Sequence, residues 1–351
     1  MGDTNEHYIS KAYLDNFVHP SSEHAVLYPY GRERGAYRPS GTKRLGSAIN
    51  FYRQKTAAGF DDRLDEARKR AESLIFSSSK SNVGSLARCV VEDSFALSAQ
   101  DRADLAGAAA FLFCGSPVQI HNVAMHVLLL YQMDFLNWHN TEDVKAAFRE
   151  QFGDEAEDQL AESRKKALNG ELFMDVGEEN WKQLGFTAFL SQPAVTQLLM
   201  RMRLTVVDCH PKSVFLTSDN PVVRTYPSDA AIARHKWDDE MWFPISHKRG
   251  LLWHRRNCGS RERFGHSQCR SLNRQVIKHA YKFIYSPRPE EWIGTAVTTA
   301  KPAPLLGHYE SLEKVIAASK PAIDTHGRAV GEIVDSFAVM RDNAKVDVLR
   351  I

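Results

Sequence analysis

The sequence predicts a mixed α+β protein in which a helical N-terminal half packs on a mainly antiparallel sheet formed by the C-terminal half. Two observations predict this class. Apolar residues recur with helical spacing between residues 62 and 202. After Arg203 the pattern changes to short strand-like runs separated by turns. We expect one large domain over residues 1–351, with a helical part at about 62–202 and a sheet part at about 203–300 that the segment 7–60 completes.

The N-terminal segment carries a short helical pattern. Over residues 7–17 apolar side chains recur with helical spacing at Ile9, Tyr13, Leu14 and Phe17. Ser10 is placed to cap this helix. Its apolar face is expected to pack on the core, which leaves His7, Tyr8 and Lys11 toward polar surroundings. A capped helix with a surface histidine explains this segment, taken alone, at least as well as a binding site does.

The helical half contains two recognisable helix starts. Ser98 followed by Asp101 is a variant of the capping box. Ser116-Pro117 places a cap and a first-turn proline before a long apolar helix that runs to about residue 138. Polar side chains recur on one face of that helix at Gln119, Asn122 and His126. An unpaired buried polar group costs about 1–3 kcal/mol, so this stripe either bonds to core groups or lines a pocket, and both remain open.

Further elements follow in order. Residues 141–169 predict one or two charged helices, and residues 179–202 predict an apolar helix interrupted or kinked at Pro193. Ser267–Ala280 is a predicted helix that carries Asn273. The predicted strands are Leu204–Asp208, Val214–Thr217, Met241–Ile245, Gly250–Trp253 and Lys282–Tyr285.

One strand ends in an unusual polar cluster. The apolar run Val214–Leu216 leads into Thr217, Ser218, Asp219 and Asn220, and Pro221 prevents the strand from continuing. Polar side chains at a strand end are held by a rigid element, and such sites often bind or react. An Asp beside an Asn can orient a water molecule and hold a polar edge of a substrate. An Asx-turn that only closes a hairpin explains the same residues equally well.

Composition excludes several protein classes. Hydrophobic content of 43% and charged content of 25% are ordinary for a globular protein. The five cysteines are scattered and odd in number, which favours reduced thiols over a disulfide framework. The sequence shows neither an export signal nor an apolar run approaching the roughly 20 residues of a membrane helix. We therefore expect a cytoplasmic protein with no membrane partner.

The charge is unevenly distributed although its net value is only +2. Eleven Lys or Arg residues lie between residues 247 and 288 against the single acid Glu262, and seven lie between residues 32 and 55 against Glu33. Aromatic residues are interleaved with the second group, as suits backbone contact and base stacking. Such segregation is typical of a phosphate-binding face, so we expect nucleic acid as a partner, although a solvated glycine-rich hairpin has the same composition.

Several catalytic signatures are absent from the sequence. It has no Walker loop, no dinucleotide-binding glycine pattern and no hydrolase nucleophile elbow. His254, Cys258, His266 and Cys269 are zinc-ligand types, but their spacing is not that of a standard finger. A metal-dependent nuclease needs a cluster of carboxylates that holds the metal ion. The predicted sheet core offers only Asp208 and Asp219, so the nuclease remains an alternative rather than the main hypothesis. No cofactor or metal is predicted.

Short motifs in consistent order resemble a widespread bacterial family catalogued as a domain of unknown function. The opening pattern is His7-Tyr8-Ile9-x-Lys11-x-Tyr13-Leu14-x-x-Phe17, with Ser10 where a proline is usual. The strand-end motif Thr217-Ser218-Asp219-Asn220-Pro221 follows, then Phe243–Ser246, and then a helix bearing Asn273 that leads into an aromatic strand. The resemblance spans residues 7–286.

This resemblance implies a DNA glycosylase that excises modified bases from phage DNA, the activity associated with an anti-phage member of that family. Asp219 would stabilise the sugar cation and activate water, Asn220 would position the water or the base edge, and His7 or Lys11 would assist the departing base or hold a phosphate. Other residues expected to contact double-stranded DNA are Tyr8, Ser218, Gln119, Asn122, Asn273, Arg255, Arg256, Arg261 and Arg263. The alternatives are a metal-dependent nuclease and a non-catalytic nucleic-acid-binding sensor.

Overall fold

The computed structural model describes part of the chain. The described residues are 5–22, 24–49, 54–56, 59–61, 78–79, 82–83, 89, 97–120, 123, 141–168, 188–189, 192–225, 240–255 and 259–300. The helices among them are α1 (Lys11–Asp15), α2 (Ala99–Cys114), α3 (Glu142–Phe152), α4 (Ala156–Leu168), α5 (Gln192–Arg201), α6 (His266–His279) and α7 (Glu291–Thr299). The strands are β1 (Asn5–His7), β2 (Val26–Gly31), β3 (Gly35–Ala36), β4 (Ser40–Gly41), β5 (Ser47–Ile49), β6 (Gln54–Thr56), β7 (Gly59–Asp61), β8 (Ser78–Ser79), β9 (Asn82–Val83), β10 (Arg203–Asp208), β11 (Thr217–Ser218), β12 (Val223–Thr225), β13 (Glu240–Pro244), β14 (Arg249–His254), β15 (Arg261–Arg263) and β16 (Phe283–Ser286).

The two largest sheets among the described residues each have five strands. The first has the order β12-β13-β14-β10-β15, and all its pairs are antiparallel except β10 with β15. The second has the order β11-β16-β2-β3, with β4 also paired to β2. The second sheet therefore joins strands from both ends of the sequence. The predicted mixed α+β class is confirmed, and the N-terminal part contributes strands as well as helices.

Large aromatic side chains fill the core around the first sheet. Trp242 is fully buried and meets the Phe215 ring edge-on at 4.8 Å between centroids. It also lies directly against Gly250, where a Cβ atom would come within 2.0 Å of the indole. Gly250 is therefore required by the close approach of Trp242 across the β13–β14 pair. Tyr13 of α1 stacks on Phe243 at 5.5 Å, and these two rings belong to a second hydrophobic cluster, separate from that of Trp242 and Phe215.

Local signals predicted several elements correctly. The Ser98 hydroxyl accepts from the Asp101 N–H, and the Asp101 carboxylate accepts from Ser98, so the capping box is confirmed. The Gln119 N–H donates to Ser116 Oγ, as expected of a cap. The charged stretch forms α3 and α4. Within the predicted helix 179–202, the described helix α5 begins at Gln192 with Pro193 in its first turn, where the missing N–H costs no helical hydrogen bond, and residues 179–187, 190 and 191 lie outside the described residues.

Two predictions about local structure were wrong in part. α1 begins at Lys11 with Ser10 in the N-cap position, as the sequence predicted, but the Ser10 side chain makes no capping hydrogen bond, and His7 lies before the helix in β1, which pairs with β5. Val214–Leu216 is not a strand, and β11 contains only Thr217 and Ser218. The backbone of this run bonds elsewhere, because Leu216 N–H donates to Asn273 Oδ1 and Val214 C=O accepts from Asn273 Nδ2. A side chain of α6 thus replaces the expected strand partner.

The chain forms two compact units. One comprises residues 1–126 and 176–305 and contains both five-stranded sheets, whereas the other comprises residues 127–175 and 306–351 and contains α3 and α4. The single-domain expectation stays a prediction. No helix within the described ranges is long and apolar enough to cross a membrane.

Candidate functional site

The Asp219 carboxylate lies at the end of β11 and is bound by the backbone of the chain entering β16. Its Oδ1 accepts from the Tyr281 N–H at 2.7 Å, and its Oδ2 accepts from Lys282 and Phe283 at 2.5 and 2.8 Å. The Asp219 N–H donates to the Phe283 carbonyl at 3.0 Å, which continues the β11–β16 pairing. The side chain is only 1% exposed. Main-chain donors, which cannot change rotamer, therefore fix this carboxylate.

Burial dominates the electrostatics of Asp219. Removal from water raises its pKa to about 6, and the three backbone hydrogen bonds and the charge of Arg32 offset only part of that increase. A free aspartate has a pKa near 3.9. The Asp219 carboxyl therefore changes its protonation state close to neutral pH, unlike an ordinary surface carboxylate.

Arg32, just beyond β2, supplies the positive charge that acts on Asp219. Its guanidinium donates to carbonyl groups at the ends of α6 and α7, namely those of Ile277, Lys278, Ala280 and Ala300. Burial lowers the pKa of Arg32, and the Asp219 charge opposes that effect. Arg32 therefore caps two helix C-termini, where carbonyl groups lack helical partners, while it balances part of the Asp219 charge.

Two tyrosine hydroxyls complete the polar cluster around Asp219. Tyr8 and Tyr285 hydrogen-bond to each other through their side chains. Burial raises the pKa of Tyr8 above its usual range, and the Asp219 charge raises it further. Burial also raises the pKa of the fully buried Tyr285, with further contributions from Tyr8 and Asp219. We call Asp219, Tyr8, Tyr285 and Arg32 the Asp219 cluster.

Ser218 and Asn220 form a tight turn beside the cluster. Ser218 Oγ donates to the Asn220 carbonyl at 2.8 Å and accepts from its N–H at 3.1 Å. Asn220 Nδ2 donates to the His279 carbonyl, whereas Asn220 Oδ1 is buried without a hydrogen-bond partner among the described residues. This is a serine turn, the hydroxyl counterpart of the Asx-turn that was the alternative interpretation. It closes no hairpin, because β11 pairs with β16 and β12 pairs with β13.

Of the three N-terminal residues predicted for the site, one belongs to the Asp219 cluster and two form other contacts. Tyr8 joins the Asp219 cluster through its hydrogen bond to Tyr285, and its contact with DNA stays a prediction. His7 Nδ1 instead lies 3.2 Å from the Leu45 carbonyl, and the exposed Lys11 ammonium pairs with Asp15 at 2.6 Å. Their roles toward a departing base or a phosphate stay predictions.

The arginines predicted to contact DNA have different environments. Arg261 Nε donates to Asp208 Oδ2 at 2.6 Å, and Arg249 Nε donates to Asp208 Oδ1 at 2.9 Å. Burial raises the pKa of Asp208, but the bonds and charges of these two arginines outweigh it and leave the pKa below its usual range. Arg255 and Arg263 are exposed, and Arg256 lies outside the described residues.

Asn273 and Gln119 occupy different structural roles. Asn273 is buried, and its amide bonds hold the Val214–Leu216 backbone that leads to the motif. Asn273 therefore fixes the backbone that leads to Asp219 and is a positioning residue. Its place on a predicted helix did not indicate this role. Gln119 is half-buried near the start of its helix, and Asn122 and His126 lie outside the described residues.

The four side chains considered for zinc are engaged in other contacts or not described. His254 Nε2 lies 2.8 Å from Thr205 Oγ1, His266 Nδ1 lies 2.7 Å from Ser213 Oγ, and Cys269 Sγ lies 3.5 Å from Cys209 Sγ. Cys258 lies outside the described residues. The described part of the chain contains no group of three or more His, Cys, Asp or Glu side chains arranged to hold a metal ion.

A family model described as "Protein of unknown function (DUF4238)" matches residues 5–290. The chain belongs to this family. The match confirms the resemblance to a domain-of-unknown-function family. It also covers every residue of the Asp219 cluster. No curated protein and no solved structure matches the chain.

Two members of the cluster were missed by sequence reasoning. Arg32 was one of seven basic residues in its segment, and Tyr285 was one apolar position in a predicted strand. The signal available for Tyr285 was its place in the aromatic strand of the family pattern. No local signal distinguished Arg32, because its partners are carbonyl groups about 245 to 268 residues later in the chain.

Proposed function

We propose that this protein is a DNA glycosylase that removes modified bases from phage DNA and leaves abasic sites. The observation that carries the proposal is the Asp219 carboxyl, buried, fixed by three backbone N–H groups and with a pKa raised to about 6. Perturbed carboxyls of this kind are concentrated at catalytic sites, because a group that ionises near neutral pH serves acid–base chemistry. The family resemblance supplies the substrate class.

In the proposed reaction the bond between the sugar C1′ and the base nitrogen breaks, and its electron pair leaves with the base. The sugar then carries oxocarbenium character, as in glycoside hydrolysis. Ionised Asp219 stabilises that charge and accepts a proton from the attacking water, whose oxygen bonds to C1′. The departing base takes up one proton from solvent, and Asp219 afterwards releases to solvent the proton it accepted, so the net reaction consumes one water molecule. Asn220 Oδ1, the unpaired acceptor, orients the water.

The substrate is proposed to approach beside Tyr8. Asp219 and Tyr285 are fully buried, whereas Tyr8 is partly exposed, so a nucleotide displaces or packs on Tyr8 first. The target base leaves the duplex stack to do so, at a cost of a few kcal/mol. His7 or Lys11 is proposed to assist the departing base, and the exposed arginines Arg255 and Arg263 to hold the backbone.

The decisive experiment incubates the protein with plain phage DNA and with phage DNA carrying modified bases. We expect free base and an abasic site that breaks only on treatment with alkali or amine, only from a modified DNA, and unchanged by EDTA. Direct strand cuts abolished by EDTA would instead identify a metal-dependent nuclease. DNA binding without any product, with biological protection intact in Asp219→Asn, would identify a non-catalytic sensor.

A further inference from the structure

A groove between α6 and α7 lies outside the Asp219 cluster and is strongly basic. It encloses about 730 Å³ and is lined by Arg270, Arg274, Gln275, Ile277, Lys278, Trp292, Thr295, Ala296, Thr299 and Ala300. Three of these described lining residues are cationic and none is acidic. The lining also includes the apolar residues Ile277, Trp292 and Ala296. The groove therefore combines positive charge with a surface on which a sugar ring can pack.

The three cations form one row along α6. Arg270, Arg274 and Lys278 are spaced four residues apart, which brings them to the same face of the helix. At 1.5 Å per residue the row extends over about 12 Å, a length that corresponds to roughly three or four phosphates of one DNA strand along the helix axis.

These cations lack anionic partners within the described ranges. None of them appears in an ion pair there, and Arg270 lies instead over the Trp292 ring at 4.8 Å from the centroid. The nearby carboxylate of Glu290 is already engaged, because it accepts from Arg288 Nε at 2.8 Å and from the Trp292 indole N–H. The charge of the row is thus left for an external anion.

Helix electrostatics does not account for the row. Cations stabilise the last turn of a helix, which explains Lys278 but not Arg270, the fifth residue of α6. Like charges four residues apart destabilise a helix by about 0.2–0.5 kcal/mol per pair. The arrangement is unfavourable for the isolated helix and becomes favourable when a row of phosphates lies beside it.

We propose that the α6–α7 groove binds the phosphate backbone of DNA. The charge complementarity of three cations that have no anionic partner among the described residues selects a polyanion, and the regular spacing of the row matches a repeating phosphate chain. Contacts of this kind position a nucleic acid without reading its sequence. The inference rests on the proposed function only in taking DNA as the ligand, because backbone binding and base excision are measured separately.

The test compares a triple variant, Arg270→Gln, Arg274→Gln and Lys278→Gln, with a matched control. The control, Arg102→Gln, Arg149→Gln and Lys165→Gln, removes three exposed cations of the same types from α2, α3 and α4. Binding to two short duplexes of unrelated sequence is measured by fluorescence anisotropy over salt concentrations from about 50 to 200 mM. Circular dichroism melting verifies that both variants are folded.

The groove variant should bind both duplexes about tenfold or more weakly, and the slope of log affinity against log salt should become shallower by about 2 to 3. The control should bind like the wild type. The proposal would be overturned if the wild type and the groove variant bound DNA with equal affinity. It would also be overturned if the groove variant and the control lost affinity for DNA to the same extent. Row-dependent binding to anionic lipid vesicles without binding to DNA would likewise overturn it.

Failure of the proposed function leaves a different pattern. If the wild type binds both duplexes through the row but releases no base from any modified DNA, the glycosylase proposal is disproved and the groove proposal stands. If the groove variant excises bases and binds DNA like the wild type, the groove proposal is disproved and the glycosylase proposal stands.

Discussion

The Lys282 backbone N–H donates to Asp219 Oδ2 at 2.5 Å, the shortest of the three hydrogen bonds that hold this buried carboxylate. Both oxygens of Asp219 act only as acceptors, and each faces at least one main-chain donor. An asparagine at this position presents an NH₂ group to one of those donors. Asp219→Asn therefore removes the negative charge and also breaks part of the hydrogen bonding that clamps β11 to the chain entering β16.

Asp219→Asn should lower the free energy of unfolding by about 1–3 kcal/mol, the cost of one buried N–H left without an acceptor. Its rate of base release should fall by a factor of about 10² to 10³ at a temperature where the variant is fully folded. Chemical denaturation and single-turnover assays measure the two effects.

Thr217→Val is the matched control for that substitution. Thr217 Oγ1 lies 2.8 Å from the Tyr13 hydroxyl, which also donates to the Pro244 carbonyl, so this variant loses a buried hydrogen bond of the same strand without touching Asp219. It should lose about 1 kcal/mol of stability and retain its rate. Equal rates for folded Asp219→Asn and Thr217→Val would mean that Asp219 is only a clamp.

The stability of the protein should carry a pH signature of Asp219. Its pKa is about 6 in the folded state against about 3.9 in an unfolded chain, so the native state binds the proton more tightly. This contribution is fully present below about pH 4, falls as the pH rises toward about 6 and is absent above, a change on the order of 2–3 kcal/mol. Unfolding measured at several pH values should show it as the difference between wild type and Asp219→Asn.

The rate of base excision should also depend on the ionisation of Asp219. The proposed mechanism uses the carboxylate, so kcat/KM should rise with pH through an apparent pKa near 6 and then level off. The residual activity of Asp219→Asn should lack this step. A wild-type profile that is flat between about pH 5 and 8 would exclude Asp219 as the ionising group of the reaction.

Asn273→Ala should destabilise the protein by about 2–5 kcal/mol, since it leaves the Leu216 N–H and the Val214 carbonyl without partners. Gln275→Ala, a change to a half-buried side chain of the same helix, should cost much less. Thermal melts compare the two. Direct contact between Asn273 and DNA predicts instead a loss of affinity with little loss of stability.

The predicted DNA-contacting arginines should separate into two kinds. Arg261→Gln removes one of the two bonds to Asp208 and should cost about 1 kcal/mol of stability after solvent screening. The pair Arg255→Gln and Arg263→Gln, both exposed, should leave stability unchanged and weaken binding to any DNA sequence. Unchanged affinity of the double variant at low salt would show that these two side chains are only solvated.

The sequence by itself determined the features that depend on neighbouring residues. Ser98 and Asp101 lie three residues apart, so their capping box was predictable, and the strand period defined β10, β13 and β14 nearly to the residue. Pro221 and the small polar residues before it marked the end of a strand. The mixed α+β class follows from these local patterns.

Only the tertiary structure decided what surrounds Asp219. Its three donors lie 62 to 64 residues later, and Tyr8, near the start of the sequence, interacts with it electrostatically. Asn273 likewise replaced a strand partner from a distant helix. Hydrophobic periodicity reports which face of an element is buried, but it does not specify which distant backbone groups meet it. The pKa of Asp219 is a consequence of burial, so it exists only once these segments have packed together.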